Sequence, residues 1–307
     1  MSHTSLNMVA QKAGVSKTTA SLVLNGKADK VNIAPGTQER VRKVARELNY
    51  QPNRFNPGRL NGKTGIIAVV ATDFSSYPNH LWLHHLIASI QAHGYVVVPI
   101  LSGANPEQSI DHITADGYVI IDEAAADLFP KKPDTPIVCA GFKTEEVAFR
   151  CIHPNYRERM NEMISAIYRR NKKAIGLVAR DAHSPSTKEV IKTYKENYCA
   201  RFEIPEEIYL IPKNDLSPKK ITEAITSLAA KGVNGIIFED GKMALNALYQ
   251  KDIRMLSENN ILLTCHLDHP ELQTTDDSML LLFPENIKEM ASLVVKELFN
   301  TILAEAH

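Results

Sequence analysis

Residues 9–26 read VAQKAGVSKTTASLVLNG, and this stretch decides the fold of the first fifty residues. Gly14 permits a tight turn between two short helices expected at 6–12 and 17–24. Ser5 can cap the first and Ser16 the second, each hydroxyl taking a free backbone N–H. Leu6, Val9, Ala10, Val15, Ala20, Val23 and Leu24 fit one small shared core. Gly26 to Asn32 reads as a loop. Pro35 suits a first helical position, and a third helix is expected over 36–48. Its buried face is marked by Val41, Val44, Ala45 and Leu48 at three-to-four spacing.

Two helices joined by AGVS, the second capped by serine, are what a helix-turn-helix requires. Such a unit presents the N-terminal residues of its second helix to base edges in the major groove. Lys17 and Thr18 open that helix, and Leu22 follows Thr18 one turn later on the same face. Lysine donates to guanine O6 and N7, and threonine bonds a base or touches a thymine methyl. Lys17, Thr18 and Leu22 are therefore the expected base contacts. Ser5, Ser16, Thr19, Ser21, Asn25, Tyr50 and Asn53 are the expected phosphate contacts. Charge agrees with this reading. The chain is neutral overall, yet residues 1–63 hold eleven Lys and Arg against three acidic residues, a net +8 balanced by −8 in the rest. A basic head on an acidic body suits a polyanion.

Beyond the head, 51–63 (QPNRFNPGRLNGK) is rich in Pro, Gly and Asn and reads as a linker. Short apolar runs then recur at 65–71, 95–100, 118–121, 137–140, 174–179, 207–211, 235–238, 261–265 and 279–283. Helical periods lie between many of them, at 81–92, 157–170, 188–201, 218–231, 242–256 and 285–304. This alternation predicts doubly wound parallel sheets, with too many strands for one sheet. The expected organisation is an all-α helix-turn-helix headpiece over 1–50, a hinge over 51–63 and a core of two α/β lobes over 64–307.

The motif at 9–26 resembles the signature of the lactose-repressor (LacI) family, VAxxAGVSxxTVSxVLNG. TQERVRKVARELNYQPN at 37–53 resembles the family's third-helix block, TRxRVxxAAxELxYxPN. The similarity is close over the first 53 residues and continues weakly through DGYVII at 116–121 and FPENIKEMASLVVKEL at 283–298. It implies a transcriptional regulator, most simply a repressor, bound as a homodimer to a near-palindromic double-stranded operator. It also implies a hinge helix in the minor groove and a periplasmic-binding-protein-like core with a small-molecule effector, often a sugar or nucleobase, between its lobes.

The sequence departs from the family where sensing meets DNA. The family's hinge reads PNxxAxxL; here PNRFNPGRL places Asn56 for the Ala, then Pro57-Gly58, and Leu60 arrives one residue late. Arg54 and Leu60 are the candidate minor-groove residues, with a flexible tether as the alternative. In the cleft, Pro154 and Val190 stand where relatives often place an Asp and an Arg, and Glu239-Asp240 replaces an Asn-Asp pair. Geometry supplies other candidates, because ligands of parallel sheets meet the loops at strand C-terminal ends. Those loops hold Asp73, Phe74, Ser102, Asp122, Glu123, Phe142, His183, Asp240 and Asp268. The acidic lining suits a polar or cationic ligand; otherwise the core has lost ligand control and serves dimerisation or a protein partner.

Other classes fare worse. There is no nucleophile elbow, phosphate loop, zinc-protease motif or dinucleotide fingerprint, so no enzyme, catalytic residue or cofactor is expected. CHLDH at 265–269 holds ligand-type side chains at mixed spacing, and no metal is assigned. No run of about 18 apolar residues exists and no signal peptide opens the chain. The expected location is the cytoplasm of a bacterial cell, at the nucleoid, with no membrane partner. A solute receptor that does not bind DNA, the rival class, would need export.

Overall fold

The computed structural model describes residues 5–24, 26, 28–48, 50, 63–102, 113–127, 129, 135–146, 149–180, 183–212, 215–248, 260–266 and 279–304. The chain divides into two compact units, Met1–Thr64 and Gly65–His307.

In the first unit, α1 (Leu6–Ala13), α2 (Lys17–Leu24) and α3 (Pro35–Glu47) surround one small core. Val9, Ala13, Ala20, Val23 and Val41 are buried in it, and Leu6, Val15, Leu24 and Leu48 pack on its edge. The expected helices therefore form from the expected apolar positions. Gly14 ends α1 at φ 64°, a left-handed conformation that glycine adopts without strain. The longer connection from α2 to α3 is not loose. It contains a 3-10 turn, Asp29–Val31, tied to α3 by buried Gln38, whose amide donates to Asp29 Oδ1 and Ile33 O at 2.9 Å each.

The second unit has two sheets of five strands, every pairing parallel. Lobe one holds β1 (Ile66–Ala71), β2 (Val96–Leu101), β3 (Gly117–Ile120), β4 (Ile137–Ala140) and β5 (Arg150–Ile152), in the order β2-β1-β3-β4-β5. Lobe two holds β6 (Ile175–Arg180), β7 (Ile208–Ile211), β8 (Gly235–Phe238), β9 (Leu262–His266) and β10 (Leu280–Phe283), in the order β7-β6-β8-β9-β10. Helices alternate with strands: α4 (Asn79–Ala92), α5 (Glu123–Ala126), α6 (Tyr156–Arg169), α7 (Pro185–Tyr194), α8 (Pro218–Ala230), α9 (Gly241–Leu248) and α10 (Ile287–Ala304).

Nearly continuous burial of β1, β3, β4, β6, β8 and β9 explains why these strands read as apolar runs. The chain crosses between lobes at 153–155 and again at 284–286. The second crossing returns α10 to lobe one, where Ala291, Val294 and Leu298 join the core formed with Trp82, Leu86 and Ile90 of α4.

Three features escaped the sequence reading. β5 has three residues, Arg-Cys-Ile, and gives no apolar run. α5 has four and shows no period. The helix expected at 188–201 is α7 followed by a π turn at Lys195–Cys199, which carries Tyr198 into the core. There its hydroxyl accepts from Ile175 N at 2.8 Å and donates to Lys173 O at 2.6 Å.

Candidate nucleic-acid interface and interlobe cleft

In the head, Ser16 Oγ accepts the Thr19 N–H at 3.0 Å and lies 2.8 Å from the Thr19 hydroxyl. Ser16 thus caps α2 as expected, and Thr19 is already engaged by its cap. Lys17 and Thr18 are exposed on the first turn. Leu22, half-buried, lies four residues after Thr18 and outside the head core. Thr18 and Leu22 therefore share one face, and Lys17 stands exposed beside Thr18 at the positive end of the helix. Ser5 caps α1 through Met8 N at 3.4 Å. Ser21 is half-buried. Tyr50 packs on the head core, and burial raises its hydroxyl pKa. Arg40 on α3 donates to Ala13 O at 3.0 Å, bracing the C-terminal end of α1 next to the turn. Asn25, Asn53, Arg54 and Leu60 lie outside the described residues.

In the core, a cleft of about 270 Å³ opens between the lobes. Lobe one contributes Glu123, Asp127 and the loop from Phe142 to Glu145. Lobe two contributes Arg180, His183, Ser184 and Thr187. These residues follow β3, β4 and β6, at the carboxyl ends of strands where both sheets reverse their order.

Arg180 dominates the floor. Its guanidinium lies 3.3 Å from Asp240 Oδ2 and 3.7 Å from Glu239 Oε2. Burial opposes its charge, but Asp240, Glu239 and Glu123 outweigh that and raise its pKa. Glu239 is 4% exposed. It accepts Arg180 N at 2.6 Å and the Thr187 hydroxyl. Desolvation raises its pKa, and Arg180 opposes the rise. Two polar atoms of the cleft lining are buried without a hydrogen-bond partner among the described residues, Glu123 Oε1 and Arg180 Nε. One can accept from a ligand and the other can donate to it.

The lobes also touch directly. Lys143 N donates to Ser186 Oγ at 2.9 Å, Lys143 pairs with Glu189 at 3.4 Å, and Lys188 pairs with Glu145 at 3.1 Å. The Lys143 ammonium lies 5.7 Å from the centre of the Tyr156 ring. Burial pushes the Tyr156 hydroxyl up to about 12.

Of the cleft residues chosen from strand ends, Glu123, Phe142 and His183 line the cavity. Asp122 stands behind it, accepting Thr72 N at 2.7 Å, Thr72 Oγ1 at 3.0 Å and Ala125 N at 2.8 Å, so it ties the β1 and β3 loops together. Asp240 caps α9 through Met243 N at 3.0 Å while holding Arg180. Asp73 accepts from Ser75 Oγ and N at 2.7 and 2.8 Å, and these bonds lower its pKa. Phe74 packs on the lobe-one core beside α4. Ser102 is buried with Oγ unpartnered among the described residues. Asp268 lies outside the described residues. The sequence reading missed Arg180, although it ends β6 and the strand-end rule could have found it.

A helix-turn-helix head followed by a two-lobed parallel α/β core defines a class of DNA-binding proteins with a periplasmic-binding-protein-like body. Residues 5–53 match the family described as "Bacterial regulatory proteins, lacI family". The chain is 25% identical over 253 residues to the HTH-type transcriptional regulator pepR1 of Lactobacillus delbrueckii subsp. lactis, covering 75% of this chain and 70% of that protein. It is 34% identical over 111 residues to the catabolite repressor/activator of Escherichia coli K12, covering 35% and 33%. In structure it is similar to the lac repressor dimer bound to operator and the anti-inducer ONPF. The TM-score is 0.77 at 17% identity, over 99% of this chain and 94% of that one. Over residues 5–53 the chain carries the helix-turn-helix domain of the lacI family of bacterial regulatory proteins, and the whole chain shares the fold of lac repressor.

Proposed function

We propose that the protein is a transcriptional regulator that binds a near-palindromic DNA operator as a homodimer and represses from it. The observation that carries this is the first turn of α2. A serine cap leaves Lys17 and Thr18 exposed, with Leu22 on the same face as Thr18, in a segment of net charge +8. Lys17, Thr18 and Leu22 read bases. Ser5, Ser16, Thr19, Ser21, Asn25, Tyr50 and Asn53 hold phosphates, and Arg54 and Leu60 enter the minor groove from the hinge. The division into a headpiece at 1–50, a hinge at 51–63 and a core from 64 follows from these roles. Two such heads in a dimer read two half-sites, which is why the operator is near-palindromic. The work is regulatory rather than catalytic and is done in the cytoplasm, at the nucleoid. No helix among the described residues is long and apolar enough to cross a membrane.

The interlobe cleft is the sensor. Glu123 Oε1 and Arg180 Nε, an acceptor beside a donor, suit a ligand hydroxyl, which both donates and accepts. A small polyhydroxylated effector therefore fits better than an anion, which would meet Glu239 and Asp240 around Arg180. Control requires the effector to prefer one arrangement of the lobes.

The test is selection of bound duplexes from a random library by the ligand-free full-length chain, then titration at about physiological salt. A palindrome bound at least about a thousandfold more tightly than random DNA is expected. Binding that stays weak and blind to sequence, with no restoration by a panel of sugars, overturns the proposal.

A further inference from the structure

Two of the four cysteines stand opposite each other in the lobe-one sheet. The β4–β5 register pairs Cys139 directly with Cys151. Direct partners in a ladder project to the same face, and both side chains meet the core that also holds Phe142 and Phe149. The two thiols interact with each other, and Cys151 Sγ also donates to Phe149 O at 3.8 Å. Cys139 is fully buried and Cys151 half-buried, so a small solute reaches Cys151 first. Cys199 and Cys265 belong to separate cores of lobe two.

The two thiols are not equivalent. The interaction with Cys151 and then burial push the Cys139 thiol up. The interaction with Cys139 pulls Cys151 down to about 7 against its burial, helped by the Thr144 backbone. Cys151 is thus the more acidic and more accessible of the two and Cys139 the one behind it, the division of labour of an attacking and a resolving thiol.

The strand bearing Cys151 is short and peripheral. β5 has three residues and pairs only with β4, at the edge of the sheet. Neighbouring strands lie about 4.8 Å apart, whereas a disulfide brings Cβ atoms to about 3.8 Å. An edge strand can close that gap of about 1 Å without breaking a second ladder.

We propose that Cys139 and Cys151 form an oxidisable dithiol, a modification site at which hydrogen peroxide or an alkyl hydroperoxide produces an intrachain disulfide. The Cys151 thiolate attacks one peroxide oxygen, and the O–O bond breaks. The second oxygen leaves as hydroxide or alkoxide and is protonated, and Cys151 becomes a sulfenic acid. Cys139 then gives up its proton and attacks the Cys151 sulfur; the S–S bond forms, the S–O bond breaks, and water departs. With hydrogen peroxide, two thiols and one peroxide give one disulfide and two waters. The two electrons lost by sulfur reduce the peroxide. Thiol–disulfide exchange with an external dithiol reverses the change. The site lies where a small displacement matters. β5 runs into the first crossover at 153–155, and β4 runs into the Phe142–Glu145 wall of the cleft.

The test treats the reduced full-length chain with equimolar hydrogen peroxide, alkylates it under denaturing conditions and maps its peptides by mass. Two of the four thiols should resist alkylation, in one linked peptide joining Cys139 to Cys151, and dithiothreitol should restore both. Cys139→Ala should leave a Cys151 sulfenic acid that dimedone traps, and Cys151→Ala should leave all three remaining thiols alkylated. Two results overturn the proposal: Cys151 carried on to sulfinic acid in the unmutated chain with no linked peptide, or a disulfide joining two chains. The unmutated chain decides this by itself, so a variant that folds poorly does not obscure the answer.

Discussion

Single side chains in this protein are asked either to read DNA or to keep charge compatible with burial, and the two demands predict different failures. Lys17 is exposed on the first turn of α2 and touches nothing that the head needs to fold. Lys17→Ala should cost about 1–3 kcal/mol of operator binding and relax one position of the half-site. A uniform loss across all sequences would reassign Lys17 to a phosphate. Arg180 is the opposite case, since it neutralises a carboxylate that is 4% exposed. Arg180→Ala leaves Glu239 without its cation, at a cost on the order of 1–3 kcal/mol. The sign of the pH dependence follows from the raised Glu239 pKa. A carboxyl raised in the folded state contributes its full stability below its unfolded pKa and loses it as pH rises through the folded value. Removing Arg180 moves the folded value further up. The deficit in Tm should therefore be small near pH about 4 and widen toward neutrality. Equal deficits at both pH values would show that Glu239 does not depend on Arg180.

Elements are held by short polar devices at their ends, and these decide how much was legible in the sequence. Ser16 and Ser184 cap α2 and α7 through the N–H three residues on, at 3.0 Å each. Ser16→Ala should lower head stability by about 1 kcal/mol and free the Thr19 hydroxyl that it now holds. Melting of the head, followed by the exchange of α2 amides, measures it; unchanged protection would mean that packing of Ala20 and Val23 alone holds the helix. The capped helices and the wholly buried strands announced themselves, because a cap, a period or an apolar run is a local signal. β5 and α5 did not, because three or four residues carry no period and their existence depends on β4 and Asp122. The cleft was legible as a place, since strand ends locate it, but not as chemistry. Arg180, Glu239 and Thr187 meet only after β6, β8 and α7 have packed, and no spacing in the sequence predicts that meeting. Gly141 shows the same limit. At φ 89°, with Trp82 Nε1 3.0 Å from where a Cβ would stand, it accepts no side chain, yet it reads as an ordinary loop residue.

Across the whole core, two kinds of contact join the lobes, and burial separates them in strength. At the mouth of the cleft, Lys188 and Glu145 are 55% and 76% exposed, so water and salt screen their pair. At the crossovers, Glu285 receives Tyr77 OH of lobe one at 2.6 Å and Arg159 Nη1 of lobe two at 3.1 Å, while its carbonyl takes Arg159 Nη2 at 2.8 Å. Arg159 and Glu285 are 18% and 15% exposed, and Tyr77 lies in the lobe-two core although its chain segment belongs to lobe one. One carboxylate thus ties a lobe-one phenol to a lobe-two guanidinium at the point where the chain crosses. A hinge needs a fixed pivot and a yielding mouth, and this distribution of burial supplies both. Glu145→Ala should change stability by less than about 1 kcal/mol and leave unfolding as one transition. Glu285→Ala should cost on the order of 3 kcal/mol, because it strands a largely buried arginine, and should split the calorimetric transition as the lobes uncouple. If the two variants melt alike, the pivot lies elsewhere, and the apolar insertion of Tyr77 rather than the ion pair holds the lobes together.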